Sequence, residues 1–232
     1  MPRITEVNDV PPEAPRSRKG AATRARLLES AKEEFAETGF LETRISDIAK
    51  RAGMSHGSFY HYFDSKEQIF REVAEAQEAV LTAADDGDPP APDATEFDRI
   101  LRANRRYFAR YRANGKIMGV IEEVSRYDAV VNEARMQRQK HFAERAEASV
   151  RRLQAQGLAD RHIDPEIAAV ALGAMIARFA ELWVVEDWAD YPFDHATDQV
   201  TRLWANAIGL PTDTVAPSRA GRASGKSSRK KS

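Results

Sequence analysis

Apolar residues recur at helical spacing along most of this chain of 232 residues, from about residue 20 to residue 210. Near residues 21–38, for example, Leu27, Ala31 and Phe35 fall on one face of a helix. Runs in which apolar and polar residues alternate, as they do in a half-buried strand, are absent. The pattern therefore predicts an all-α fold of about nine helices.

Glycine, proline and Asn or Asp residues mark the ends of the predicted helices. The strongest internal break is DDGDPPAPDAT at 85–95, whose composition is typical of a linker. We divide the chain into a domain at 20–66 and a second domain at 67–210, and expect disorder at 1–19 and 211–232. The predicted helices lie near 21–38, 45–52, 55–62, 64–84, 95–113, 116–126, 128–156, 164–186 and 194–208.

The sequence offers little for catalysis or metal binding. It has no cysteine, which excludes disulfides, catalytic thiolates and cysteine-bound zinc. None of its five histidines has a glutamate three residues earlier, so the Glu-x-x-His pattern of di-metal helical bundles is missing. A His-Glu-x-x-His motif, a glycine-rich phosphate loop and a nucleophile elbow are missing too. We expect neither an enzyme nor a protein with a cofactor.

The distribution of apolar residues predicts a soluble, cytoplasmic protein. The first twenty residues lack the apolar core of a secretory signal. The longest mainly apolar stretch, 167–185, contains Arg178 and Glu181, which disfavours a membrane span.

Residues 45–62 have the spacing of a helix-turn-helix motif. Ile45 and Ile48 supply the apolar face of a first short helix, and Gly53 follows at the position of a tight turn, where a left-handed backbone favours glycine. Ser55 is a good N-cap for the second helix, since its hydroxyl can accept a hydrogen bond from a free backbone amide.

The second short helix predicts two different faces. Phe59 and Phe63, four residues apart, turn inward, and the remaining face is short, polar and aromatic. Such a face can donate hydrogen bonds to DNA phosphates and base edges. By spacing alone, a corner between two helices of an all-α fold explains the same residues.

Residues 23–70, TRARLLESAKEEFAETGFLETRISDIAKRAGMSHGSFYHYFDSKEQIF, resemble the DNA-binding domain of the TetR family of bacterial transcriptional regulators. The resemblance is carried by A-x-x-x-F in the first helix, a glycine after it, D-I-A-x-x-A-G-M-S and S-F-Y-x-Y-F-x-S-K-E. It implies a three-helix DNA-binding domain and an all-helical domain that binds a small molecule and forms a homodimer. The implied function is repression at double-stranded operator DNA, relieved by that molecule. The alternatives are an activator of the same family, or a helical protein that binds a partner and not DNA.

Carried over by position, the recognition helix is 55–62, with His56, Gly57 and Ser58 nearest the bases. The resemblance places Tyr60 and His61 on the DNA backbone. Many members have threonine where this chain has Arg44, so either Thr43 caps the helix one residue earlier or Arg44 replaces the cap with a charge contact. The implied DNA-binding residues are Arg44, Ser46, Ser55, His56, Gly57, Ser58, Tyr60, His61 and Lys66.

Both ends of the chain are basic. Five arginines and lysines lie within 16–26, and six basic residues without an acidic one lie within 219–231. Each cluster suits either a nonspecific contact with phosphate or a solvated terminus.

The second domain supplies bulky apolar residues for a ligand pocket, which favours a hydrophobic effector. An arginine stripe at 99, 102, 106 and 110 suits a solvated face, or an anionic effector such as an acyl-coenzyme A. The pocket candidates are Asn104, Tyr107, Phe108, Tyr111, Met118, Ile121, Phe142, Phe179 and Trp183.

The predicted helix at 164–186 is rich in alanine, and small side chains allow another helix to approach closely. With the helix at 194–208 it is a candidate dimer interface of four helices, two from each subunit. Candidate interface residues are Ala174, Arg178, Glu181, Val200, Leu203 and Trp204.

Overall fold

A computed structural model describes residues 18–83, 91 and 93–212 of the chain. These residues form helices and no strand, which confirms the predicted all-α class. Most of the predicted linker and nearly all of the two ends predicted to be disordered lie outside the described residues. The helices are α1 (Arg18–Glu42), α2 (Ile45–Arg51), α3 (His56–Phe59), α4 (Lys66–Thr82), α5 (Glu96–Ala113), α6 (Gly115–Val124), α7 (Ala129–Ala155), α8 (Pro165–Ala180), which continues as a π-helical turn (Glu181–Val185), and α9 (Phe193–Ala207).

Side-chain caps fix several helix starts. Asp128 accepts hydrogen bonds from the first amides of α7, and Asp164 does the same for α8. Thr95 and Asp98 form a reciprocal capping box at the start of α5. These caps stand where polar residues precede an apolar helical pattern, which is why the predicted boundaries lie close to the observed ones.

Two helices in the first third of the chain differ from the prediction. The regular helix of α1 is interrupted at Gly39, whose φ of +83° is left-handed, and one further turn reaches Glu42. The predicted helix at 55–62 is regular only in α3, and the amides of Tyr62 and Phe63 then bond the carbonyl of Phe59 in a tight turn. This turn brings both phenylalanines into the core.

Helices α1 to α3, which we call the head, share one apolar core with α4. Leu27, Phe35 and Ile48 are fully buried there. The rings of Phe35 and Phe70 meet edge to face at 4.9 Å between centroids. Because Phe70 belongs to α4, the head cannot move without moving the start of that helix.

Helices α5 to α9 form the body. One part of its core lies around Phe108 and Ile121, and another joins Leu153 of α7 to Trp204 of α9. Two glycines on α6 allow the π-helical turn to approach closely: a Cβ at Gly115 would lie 2.7 Å from Val184, and one at Gly119 would lie 2.9 Å from Val185.

Helix α4 joins the head to the body through ion pairs as well as apolar contacts. Arg71 on α4 donates to Asp128 at the start of α7, with Nε 3.1 Å from Oδ2. Arg24 of α1 pairs with Glu72, which also lies on α4. The arrangement makes α4 one element through which the body can affect the head.

Candidate functional site

The turn between α2 and α3 has the predicted geometry of a helix-turn-helix motif. Gly53 is left-handed with φ +66°, and the Met54 amide donates to the carbonyl of Ala49 at 2.8 Å. Ser55 caps α3, accepting from the Ser58 amide at 3.2 Å, which confirms the predicted cap. Arg51 at the end of α2 pairs with three glutamates of α1 and fixes the two helices relative to each other.

One face of α3 is buried and the other is exposed. Phe59 and Phe63 are at most 1% exposed, which confirms that they turn inward. The space beside Gly57 is open, since a Cβ at this position would meet no neighbouring atom within 4 Å, so the packing of the protein does not require this glycine. The exposed candidate DNA-binding residues are Arg44, Ser46, Ser55, His56, Gly57, Tyr60 and His61, and Ser58 is half-buried.

The position of Thr43 removes one of the two alternatives for the start of α2. Its hydroxyl donates to the carbonyl of Gly39 at 2.6 Å and lies 2.7 Å from the hydroxyl of Thr38. Thr43 is therefore buried and does not cap α2. Arg44 stands at the N-cap position without a side-chain cap bond, and its side chain is exposed.

Lys66 differs from the expectation that it contacts phosphate. Its ammonium donates to the carbonyls of Phe40, Leu41 and Thr43 at 2.8, 3.1 and 3.0 Å, and lies 4.7 Å from the centre of the Phe40 ring. A lysine has three protons to donate, and all three are used inside the protein. The structure thus corrects this prediction: Lys66 ties the end of α1 to the start of α4.

A cavity of about 610 Å³ lies between α5, α7 and α8. Three predicted pocket residues line it: Asn104, Tyr107 and Phe142. Apolar side chains such as Met136 and Ile176 form much of the remaining wall. Its size is typical of a small-molecule site.

The other predicted pocket residues do not line this cavity. Trp183 borders a separate cleft of about 560 Å³ between α1, the α5–α6 junction and residues 183–191, and the ring of Phe179 stacks on Tyr191. Aromatic rings at helical spacing pack against each other here, and for these residues the predicted ligand contact stays a prediction. Four of them are at most 1% exposed in the core: Phe108, Tyr111, Met118 and Ile121.

A buried cluster of charges lies where α4, α6 and α7 meet, and the sequence analysis missed it. Arg138 is 3% exposed and lies between Glu78 and Glu122, with nitrogen–oxygen distances of 2.8 and 3.3 Å. Arg135 donates to the other oxygen of Glu122 at 2.5 Å. Arginines and glutamates on helices are most often exposed, so the pattern gave no signal of this burial.

Several buried polar atoms of this cluster have no hydrogen-bond partner. Neither oxygen of Glu78 accepts a hydrogen bond, and the Tyr111 hydroxyl and Nη1 of Arg138 also lack one. Burial raises the pKa of Glu78 to about 7, although the Arg138 charge opposes the rise. Burial likewise raises the pKa of Tyr107 to about 12.

The apolar surface of α8 is largely uncovered. Ile167, Val170 and Leu203 of α9 are 69%, 58% and 59% exposed, and the predicted interface residues Ala174 and Arg178 are exposed beside them. On α8 the exposed residues at 167, 170, 174 and 178 follow one another at intervals of three or four positions, so they share one face of the helix.

Three other predicted interface residues are not on this surface, which corrects the prediction. Val200 and Trp204 are 4% and 7% exposed because that side of α9 packs into the body. Glu181 is buried and pairs with Arg178 of the same chain at 2.6 Å.

The segment Pro165–Val185 is long and apolar enough to cross a membrane, by length and composition alone. It has 21 residues, and its most apolar window has a mean hydropathy of 1.7 and is 33% buried. A single such helix is weak evidence, since an apolar helix in a core or interface has the same length and composition.

Comparison with known proteins finds a family whose members resemble the first third of the chain. Residues 27–73 match the family described as bacterial regulatory proteins, tetR family. This part of the chain is therefore similar to the N-terminal domain of TetR-family regulators. The match covers most of α1, all of α2 and α3, and the first half of α4, which is the head together with the start of the helix that follows it.

The curated relatives are similar to this chain mainly in the head. It is 43% identical over 63 residues to the transcriptional repressor KstR2 of Rhodococcus jostii, covering 27% of this chain and 31% of KstR2. The chain thus spans less than a third of the length of the curated relatives it matches most strongly. The regulator TtgR of Pseudomonas putida is 25% identical over 194 residues, covering 74% of this chain and 90% of TtgR.

Solved structures extend the similarity in fold to the body. SmeT, the repressor of the Stenotrophomonas maltophilia multidrug efflux pump SmeDEF, superposes with a TM-score of 0.60 at 20% identity, over 84% of this chain and 94% of SmeT. In the part of the chain that the structure describes, no group of three or more His, Asp or Glu side chains is placed to hold a metal ion.

Proposed function

We propose that this protein is a ligand-responsive transcriptional repressor that binds operator DNA as a homodimer. The observation that carries the proposal is the exposed polar face of α2 and α3, displayed on a head that matches the TetR family. A regulator of this kind acts in the cytoplasm, where bacterial DNA lies.

The proposed DNA contacts divide into two groups. His56 and Gly57 lie near the N-terminal end of α3, where a recognition helix meets base edges in the major groove. Arg44, Ser46 and Tyr60 lie beside them on the exposed surface, where they suit phosphate oxygens. We leave Lys66 out of the second group because its protons are used within the protein.

The proposed dimer places two heads on one DNA molecule. The uncovered face of α8, continued by Leu203 of α9, is the surface that a second copy would cover. The recognition helices of a dimer must be about 34–36 Å apart, or a multiple of this, to enter successive major grooves.

The proposed effector binds in the cavity between α5, α7 and α8. It controls DNA binding by favouring a head spacing that does not fit the operator. It can shift that equilibrium only by the difference between its affinities for the two states. The apolar wall suits an effector with a hydrocarbon or aromatic part.

Fluorescence anisotropy of labelled DNA tests the proposal. The purified protein is titrated onto the DNA upstream of its own gene and onto a scrambled duplex of equal length, at two salt concentrations. We expect saturable binding to the upstream DNA and at least tenfold weaker, more salt-sensitive binding to the control.

A control variant connects the binding to the head. Replacing exposed His56 with alanine leaves the helical content unchanged and lowers the preference for upstream DNA. Equal binding of both duplexes by the native protein would count against sequence-specific regulation by this operator, and no binding at low salt would count against a DNA-binding head. Increased transcription from the bound promoter would identify an activator.

A further inference from the structure

The cavity between α5, α7 and α8 has one buried charge in its wall. The other charged side chains that line it, including Lys140, Glu144 and Glu166, are exposed at its mouth, and Glu147 is half-buried. Arg138 is 3% exposed, and its Nη1 has no hydrogen-bond partner of good geometry. An apolar wall with one buried guanidinium suits a molecule that is apolar except for one anionic group.

The two carboxylates beside Arg138 are held unequally. Glu122 accepts from Arg135 at 2.5 Å and from Arg138 at 3.3 Å. Glu78 lies 2.8 Å from Arg138 but accepts no hydrogen bond on either oxygen. Because Glu122 is paired with two arginines and Glu78 with Arg138 alone, Glu78 is the counter-ion that another anion can replace more easily.

We propose that the effector is a small amphipathic carboxylate, whose anionic group bonds to Arg138 in place of Glu78 and whose hydrocarbon part lies along Ala169, Gly173 and Ala177 of α8. This inference rests on the proposed function and names the chemical class of its effector. The volume of about 610 Å³ is within the range of pockets for such molecules.

Displacement of Glu78 connects the cavity to the head. Glu78 belongs to α4, the helix whose first turns share the core of the head. A groove of about 470 Å³ between α4 and α7 is lined by both Glu78 and Arg138, so the displaced carboxylate has access to water. Once Glu78 leaves, α4 loses one of its two ion pairs with α7 among the described residues and keeps the pair of Arg71 with Asp128.

Calorimetric titration with three matched probes tests the proposal. Decanoate, 1-decanol and decylamine have the same hydrocarbon chain and differ in charge, and each is used below its micelle concentration. We expect decanoate to bind at least tenfold more tightly than the alcohol or the amine. Added decanoate, but not decanol, should release the labelled operator in the anisotropy assay.

Three variants of the full chain locate the site. Arg138→Gln should abolish the preference for decanoate over decanol. Glu78→Gln should bind decanoate at least fivefold more tightly than the native protein, because the competing carboxylate is gone. Arg145→Gln, which removes an exposed arginine of α7 that does not line the cavity, should change neither affinity.

The outcomes separate this inference from the proposed function. Equal affinities for the three probes, tighter binding of decylamine, or no binding of any probe would overturn it, whether or not DNA is bound. If Arg138→Gln does not fold, the Glu78→Gln variant decides, since unchanged or weaker decanoate binding contradicts displacement. If the protein selects decanoate through Arg138 but does not bind DNA, the inference about the ligand holds and the proposed function as a transcriptional regulator is wrong.

Discussion

At the scale of single residues, two glycines of the helix-turn-helix motif, Gly53 and Gly57, have different roles. Gly53 is left-handed and makes the turn of the motif, whereas Gly57 has an ordinary helical backbone and open space around it. The fold explains the first and not the second. Close approach of DNA to α3 supplies a reason for Gly57.

Replacing Gly57 with alanine separates stability from DNA binding. We expect the free energy of unfolding to stay the same or rise by up to about 1 kcal/mol, because alanine is the better helix former. We expect operator affinity to fall at least tenfold, since the added methyl group stands on the surface that we propose faces DNA. Urea denaturation and anisotropy measure the two effects, and undiminished DNA affinity would place the bases away from this residue.

The raised pKa of Glu78 predicts an unusual dependence of stability on pH. Its pKa is raised from 4.5 to about 7 by burial, in a cluster that also contains Arg135 and Arg138 of α7, Glu122 of α6, and Tyr107 and Tyr111 of α5. Between these two values the folded state binds more protons than the unfolded state, so this residue lowers stability as the pH rises. Above pH 7 its contribution is constant.

Comparison with Glu78→Gln isolates that contribution. The native protein should lose up to about 3 kcal/mol of stability relative to the variant as the pH rises from about 4.5 to 7. Urea denaturation of both proteins at several pH values gives the difference curve. A curve of opposite slope would show that the Arg138 charge outweighs burial and keeps Glu78 ionised.

At the scale of elements, the contact between α6 and the π-helical turn depends on side-chain size. The face of α6 toward this turn carries Gly115 and Gly119, and the valines opposite them fill the space. The predicted helix at 116–126 contains Gly119, which costs stability there, and begins just after Gly115, but the sequence does not show which element approaches the two glycines.

Double-mutant analysis tests this contact. Gly119→Ala should destabilise the native protein by about 1–3 kcal/mol, because the new Cβ would lie 2.9 Å from a methyl carbon of Val185. In a Val185→Ala background the same change should stabilise by up to about 1 kcal/mol, since only the helix preference remains. Equal effects in both backgrounds would mean that the π-helical turn moves aside freely.

At the scale of the whole molecule, the exposed face of α8 predicts the oligomeric state. Ile167→Asp places a charge in the proposed interface. Val130→Asp places one on another exposed apolar residue, on α7 outside the interface. Sedimentation should show a dimer for the native protein and for Val130→Asp, and mainly monomer for Ile167→Asp. Operator affinity should fall at least tenfold with the dimer, and a dimeric Ile167→Asp would exclude α8 as its interface.

The amino-acid sequence by itself determined the local structure of this protein. The spacing of apolar residues determined the helices, Gly53 and Ser55 the turn and the cap, and Phe59 and Phe63 the buried side of α3. These features depend on residues within a few positions of each other, so periodicity and capping chemistry are sufficient to predict them.

Only the tertiary structure decided which helices meet and which residues those contacts bury. Lys66 bonds carbonyls more than twenty residues away, and Arg138 joins Glu78 and Glu122 from two other helices. Trp204 faces the body, whereas Leu203, next to it, is exposed. A helical pattern shows that a face is apolar or charged, but the free energy of burying that face depends on the partner that covers it, and the folded chain alone brings that partner near.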